Sequence, residues 1–519
     1  MISRTDAGGG NNVFPTEFNI FSMVLYSFAS QKYTDIRLIT SELNIYENLF
    51  ENTISGDVLI NDANNLIANM PIYGHELLII KFNAPNNDEL KFEKTFRVYK
   101  VANREPVNDR YHYYHLFFSS IADIENEGTM ISKSYTNTTP SSIADDIIKN
   151  SLSEKFFFLE ETKNKFDFVF PNVDPLTALE FLASRSVGIS RNMGSHIFFE
   201  NRDGYHFRSL ESLLEISPVA RINYDPKNVR YFDSPSDLDF DKEFRSTQMF
   251  VFKTTIDVMN NVHNGMYVNT VYGHDILHKI VRTYAFDYTE EYEKSLHLED
   301  GVKKKLGGSE FSPNDEVNSV FTYVPFESVN KSTEVERTKD LKLNSPVGSA
   351  TTQVVKGRVL TFSSGVSESF PADTGTSPRR AKKARKSVLD VLQTPEDLRE
   401  IQSKYVKEGS LYESSSETEL FSLEKWEEFS AQRNSILHSL QENVVISLAL
   451  PGSIDYTVGA IIEFFPPSNE QINEDSEFKE DKLLSGKYLI TNVRHKIGQN
   501  AFFTFLEITK DCFYTDTPL

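Results

Sequence analysis

The sequence predicts a mainly β protein with an α+β insert. Two strand-forming regions flank a small segment of helical period, and a long arm interrupts the second region. Three observations predict this. Apolar residues alternate with period two from Phe18 to Ser120 and again after Val444. The spacing becomes helical after Thr139-Pro140 and after Asp174-Pro175. From Gly301 to about Ser422 the composition shifts to Ser, Thr, Gly, Lys and Glu.

Residues 13–125 form the first β region. Phe18 and Ile20, Leu43 and Ile45, Val58 and Ile60, and Phe96 and Val98 each share one strand face. Ser55-Gly56, Tyr73-Gly74, Ala84-Pro85-Asn86-Asn87 and Glu105 to Asp109 supply the turns between strands. About six short strands at this spacing read as a small antiparallel sandwich or barrel. Residues 126–218 form a small α+β domain. Thr139 and Asp174 are caps followed by proline at the first helical position. Ile143, Ile147, Ile148 and Leu152 then fall on one helical face, as do Leu176, Leu179 and Leu182. Asp145 and Asp146 are expected near the positive end of the helix dipole. A hairpin follows, Ile197–Glu200 and Tyr205–Arg208, turning at Asn201 to Gly204.

Residues 219–300 open a second barrel region, with Phe250 and Phe252 on a strand and a short helix near Ile256 to Val262. Residues 301–440 read as an inserted arm, partly ordered. Residues 441–515 supply the closing strands: Val444 to Leu450, Val458 to Phe465, and a hairpin around Gly498-Gln499-Asn500. These are too few to close a barrel alone. Strands from about 220 to 290 would complete it across the arm.

Net charge is −21 over 519 residues. Such a balance disfavours phosphate binding by charge neutralisation, which needs clustered Lys and Arg. The 40 Phe and 23 Tyr suit half-buried sheet surfaces. A single cysteine, Cys512, excludes an internal disulfide framework and fits a reducing compartment. The Gly- and Asn-rich start lacks the basic and apolar blocks of a signal peptide. No run approaches the ~18 apolar residues of a membrane span. A soluble protein, with no membrane contact, is therefore expected.

Gly-rich phosphate loops, nucleophile elbows and zinc helices do not occur. His112 and His115 are three apart, which on a strand points them to opposite faces. Gly273-His274-Asp275 has no identifiable nucleophile partner and reads as loop polar residues. Asp145/Asp146, Glu160/Glu161 and Glu290/Glu291 are adjacent acids, whereas a glycosidase needs carboxylates facing across a cleft. No catalytic residue, cofactor or metal ligand is assigned. One basic run stands out: Arg379, Arg380, Lys382, Lys383, Arg385 and Lys386. It can dock an acidic partner, touch nucleic acid, or be a solvated loop.

Several stretches resemble a known family. Ser485 to His495, then Phe503 to Asp511, resemble the closing strands of baseplate central hub proteins of contractile-tailed phages. Leu450-Pro451-Gly452 and Val458-Gly459 are similar to the preceding strand pair. Ile131 to Tyr135, Thr139 to Ile143, Phe170-Pro171-Asn172, Phe198 to Asn201 and Gly204 to Phe207 continue the likeness in order, over about two-thirds of the chain. The resemblance implies two tube-type antiparallel β-barrels per subunit, related to the base of the type VI secretion spike. It implies a homotrimer forming a pseudo-sixfold ring between a hexameric tail tube protein and a trimeric spike protein. Other baseplate proteins would surround it, and DNA would pass through the lumen without specific binding. The location implied is the virion tail baseplate, assembled in the host cytoplasm. An acidic lumen would repel DNA. Two other classes stay open: a tail-associated cell-wall hydrolase, and a carbohydrate- or receptor-binding tail protein. The arm is longer than the family pattern.

Overall fold

The computed structural model describes residues 16–513 except 17, 64–65, 71, 85–90, 109–110, 153, 190–193, 225–243, 248, 255–256, 276–279, 289–295, 299–303, 306–357, 365–425, 443, 469–480, 482–483 and 500. The basic run and Glu290/Glu291 lie outside the described residues.

The first unit holds β1 (Asn19–Ser27), β2 (Lys32–Asp35), β3 (Thr40–Asn48), β4 (Ser55–Asp62), β5 (Leu77–Asn83), β6 (Phe92–Asn108) and β7 (Tyr111–Ser120), with a single turn, α1 (Leu66–Asn69), before β5. They pair in the order β3-β4-β7-β6-β5-β1-β2, and every ladder is antiparallel. Period two explains the core. Leu43, Ile45, Val58, Ile60, Ile80, Phe82, Phe96, Leu116 and Phe118 are all fully buried on one side. Among the described residues no ladder joins β2 to β3, so this sheet path stays open.

Gly56 shows how tightly the inner layer is filled. A Cβ there would lie 2.3 Å from both the Asn44 carbonyl oxygen and the Phe118 ring. Gly56→Ala should therefore cost about 1–3 kcal/mol through overpacking, read as a lower urea midpoint at unchanged slope.

The middle domain holds α2 (Ile121–Gly128), β8 (Ile131–Thr138), α3 (Pro140–Ser151), β9 (Phe156–Leu159), β10 (Phe166–Val173), α4 (Pro175–Ser184), β11 (His196–Asn201), β12 (Gly204–Ser209) and α5 (Leu210–Leu214). Both caps form. Thr139 accepts from the Ser142 amide at 3.4 Å, and Asp174 accepts from the Thr177 amide at 2.9 Å. Asp145 and Asp146 are not where the dipole reading placed them. The first turn of α3 has no acidic residue; these two bind Lys149 and Lys133 instead, at 2.7 and 2.6 Å. Pro140 begins the helix, and that puts both acids a turn further in.

The second unit begins with β13 (Ala220–Tyr224), β14 (Ser246–Thr247) and β15 (Met249–Thr254). Next come α6 (Val258–His263), β16 (Val268–Asp275), β17 (Ile280–Asp287), β18 (Lys304–Lys305), β19 (Arg358–Ser364) and α7 (Trp426–Glu442). It ends with β20 (Val444–Pro451), β21 (Ile461–Phe465), β22 (Gly486–Ile497), β23 (Phe502–Lys510) and β24 (Cys512–Phe513). The path runs β15-β20-β23-β22-β21-β13-β14. Its two ends lie on adjacent stretches of chain, because only Gln248 separates β14 from β15. A separate sheet, β17-β16-β19, and the small β18–β24 pair accompany it. Gly273-His274-Asp275 belongs to β16 and pairs on both sides, so the loop reading is corrected. One ladder partner is the neighbouring strand at 280–287; the other, at 358–364, lies too far along the chain for local spacing to reveal.

Candidate functional site at the seam

The two units meet on one strand, β22. Its first residues, Gly486 to Leu489, pair with β21, and its last, Asn492 to Ile497, pair antiparallel with β3. A register shift between Ile490 and Asn492 marks the change of partner. The Leu49 amide donates to the Thr491 carbonyl at 2.8 Å just there. The far end of the β22–β23 hairpin then enters the first unit's core. Ile497 and Phe502 are fully buried in it, with the Phe502 ring edge-on to Phe82 at 5.7 Å. Gly452 permits this: a Cβ there would sit 2.0 Å from the Phe502 ring.

Charged side chains clamp the seam from two sides. On the solvent side, Arg494 donates to the Asn44 side-chain oxygen at 3.1 and 2.9 Å, and Lys496 lies 3.0 Å from Glu42. Partial burial pushes the Glu42 carboxyl up. The Asn44 and Lys496 hydrogen bonds and the charges of Lys496 and Arg494 outweigh it and hold Glu42 below its usual range. On the inner side, buried Glu47 accepts from the Thr457 hydroxyl at 2.6 Å and the Val458 amide at 3.2 Å. Burial raises its pKa despite these bonds.

A second buried acid ties the middle domain to the first unit. Glu200 of β11 accepts from Lys94 of β6 at 2.6 Å, from the Ile54 amide at 2.9 Å, and from the Ser120 hydroxyl. Lys94 also donates to the Asn201 carbonyl at 2.7 Å. In the turn of the same hairpin, Arg202 donates to the Ile454 carbonyl of the second unit. One hairpin of the middle domain thus touches both strand units.

Among the described residues, those singled out from the sequence do not assemble into a site. His115 lies 3.4 Å from Asp57, while His112 sits further along β7 on the opposite face. Glu160 accepts from the Ser209 amide and hydroxyl at 2.7 and 2.8 Å, a structural anchor for the start of α5. Among the described residues no three His, Cys, Asp or Glu group as a metal site, and no helix is long and apolar enough to cross a membrane. The residues that the sequence reading missed are Glu47, Lys94 and Glu200. A signal was present for Lys94. It shares a strand face with Phe92 and Phe96, where a charge needs a buried partner.

The two units repeat one plan. The order β3-β4-β7-β6-β5-β1 in the first matches β15-β20-β23-β22-β21-β13 in the second, with the strands taken in the same chain sequence. Ladders correspond in sense except the last, which is antiparallel for β1–β5 and parallel for β13–β21. Fine detail repeats as well. β6 shifts register against β7 between Val98 and Lys100, as β22 does against β23 between Ile490 and Asn492. The Val98 amide bonds the Glu76 carbonyl at 2.9 Å, and the Ile490 amide bonds the Ala460 carbonyl at 2.9 Å.

In fold, the chain is similar to phage tail proteins. The tail protein from Neisseria meningitidis MC58 aligns over 94% of this chain and 96% of its own, at 8% identity and a TM-score of 0.44. The 43 kDa tail protein of prophage MuSo2 from Shewanella oneidensis aligns over 94% and 98%, at 9% and 0.43. The E. coli c3393 protein, a type VI secretion component described as similar to T4 tail proteins gp27 and gp5, aligns over 97% and 79%, at 10% and 0.32. No family model and no curated protein matches the sequence.

On the solvent side of the sheet, charges of both signs alternate: Glu42 with Lys496, Glu507 with Lys253, Glu93 with Lys81.

Proposed function

We propose that this chain is a structural baseplate hub subunit. Three copies form a ring in which the two strand units of each copy occupy alternate positions of a pseudo-sixfold barrel. The repeated strand order carries this reading. A polypeptide with two like modules offers six in a trimer, so a threefold object can mate with a hexameric tail tube on one face and a trimeric spike on the other. Closed tube-type barrels, contacts to other baseplate proteins, and DNA passing through the lumen without specific binding belong to the same proposal. So do the place in the virion tail and assembly in the host cytoplasm. The role is geometric rather than catalytic, with no cofactor.

Native mass measurement and electron microscopy of the full chain test it. A mass of three chains and a threefold ring with a central hole are expected. A monomer at every concentration, or a ring of another order, rejects the proposal. Reproducible lysis of peptidoglycan by the purified chain, lost on one carboxylate substitution, would overturn the non-catalytic role.

A further inference from the structure

The internal repeat locates a large insertion. β15 and β20 hold the places of β3 and β4 in the strand order. Residues 49–54 join β3 to β4, whereas α6, β16 to β19 and α7 all lie between β15 and β20. α7 is therefore the returning limb of an insertion made in one hairpin turn, and its two halves grip different bodies. In its second half, Leu440 is buried in the core of the second unit, with Ile436 and Leu437 packed against it. Ser435 donates to the Met266 carbonyl at 2.7 Å. The first half lies on the middle domain. Phe429 packs against that core and fills the notch over Gly194, where a Cβ would lie 2.5 Å from the Phe429 Cβ. One turn on, Arg433 donates to the His196 carbonyl at 3.4 Å.

His196, the first residue of β11, is wholly buried at this contact, with the Phe207 ring 5.7 Å away. Neither of its ring nitrogens has a hydrogen-bond partner among the described residues. Charged side chains approach it from several elements. Glu160, just after β9, lies 4.0 Å from Nε2, too far for a hydrogen bond, and already accepts from Ser209. Arg433 reaches in from α7. Glu211 of α5 accepts from the neighbouring Ser195 hydroxyl, and Arg208 of β12 bonds the Ser212 hydroxyl at 2.8 Å. Burial lowers the imidazole pKa, Glu160 raises it and Arg433 lowers it, to about 4 in all. β11 is fixed by its ladder to β12. A proton gained here therefore acts on α7, whose first half is held by Phe429 and Arg433.

We propose that α7 is a latch joining the middle domain to the second unit, and that protonation of His196 releases its first half. Among the described residues, a charged imidazole here has no acceptor within hydrogen-bond distance and sits beside a second cation, Arg433. Moving Phe429 and Arg433 away lets water reach the ring. The second half of α7 stays in the core of the second unit, so the chain gains a hinge rather than unfolding. This device belongs to a single chain and does not depend on the ring.

Amide hydrogen exchange of the full chain, resolved to peptides and corrected for the intrinsic effect of pH, tests it. With the closed form at about 4 and the open one at the ordinary value of about 6.5, opening grows roughly twentyfold from pH 7 to pH 5. Protection over residues 427–434 should fall by that factor. The opening is local, so low urea should leave these amides unaffected while it speeds exchange in the β22–β23 hairpin. His196→Phe and His196→Gln should each abolish the fall. The two replacements differ in polarity, so a packing fault in one leaves the other to decide. His206→Gln, at a ring bonded to Asn201 instead, should keep the fall. Protection that holds from pH 7 to pH 5, a urea response matching the hairpin's, or a fall that survives in the His196 variants overturns the latch.

Discussion

Glu200→Ala is expected to destabilise the chain by about 3–5 kcal/mol, seen as a large fall in the urea midpoint. The substitution strands Lys94, whose side chain is only 15% exposed, without its carboxylate. It also takes the acceptor from the Ile54 amide and the Ser120 hydroxyl. A buried ammonium left unpaired costs far more than the pair gains over an apolar replacement. Lys94→Met together with Glu200→Gln should therefore recover much of the loss. If the single variant costs under 1 kcal/mol, the contact is not a fastener between the first unit and the middle domain.

Acid should loosen the chain well above the carboxylate range. Burial pushes three histidines down: His196 to about 4, His206 to about 4 and His495 to about 3. A folded pKa below the unfolded one, ordinarily about 6.5, means that only the unfolded chain takes the proton between those values. Stability is thus complete above about pH 6.5 and declines as pH falls toward 4, by about 3 kcal/mol for a shift of this size. His206 accounts for its share by position: its ring stacks on Phe199 at 4.9 Å, and its Nε2 meets the Asn201 oxygen at 2.9 Å. His206→Gln and His495→Gln should each flatten the curve of urea midpoint between pH 7 and 4. Glu47 acts in the opposite sense. Its raised carboxyl takes a proton more readily in the folded chain, so Glu47→Gln should steepen the same decline. An unchanged slope in all three variants would reject this account.

Much of the fold was legible in the sequence, for local reasons. Alternation at Leu43 and Ile45, or Val58 and Ile60, states which face is buried before any partner is known. Thr139-Pro140 and Asp174-Pro175 set both helix starts, because the cap and the proline act on adjacent amides. The hairpin turning at Arg202 and Asp203 and the one around Gly498 needed only neighbouring residues. The seam was less legible. Lys94 could be recognised as a charge in an apolar register, but not its partner 106 residues away.

By itself the sequence determined the β-rich class, the α+β insert and the helix caps, all of which depend on residues within a turn or a strand of one another. Only the tertiary structure decided that β22 leaves β21 to join β3, and that two separated stretches follow the same strand order. Strand pairing is made by backbone amides and carbonyls that every residue carries. A strand's side chains therefore say which face is buried, and only the assembled sheet says which neighbour its edge accepts.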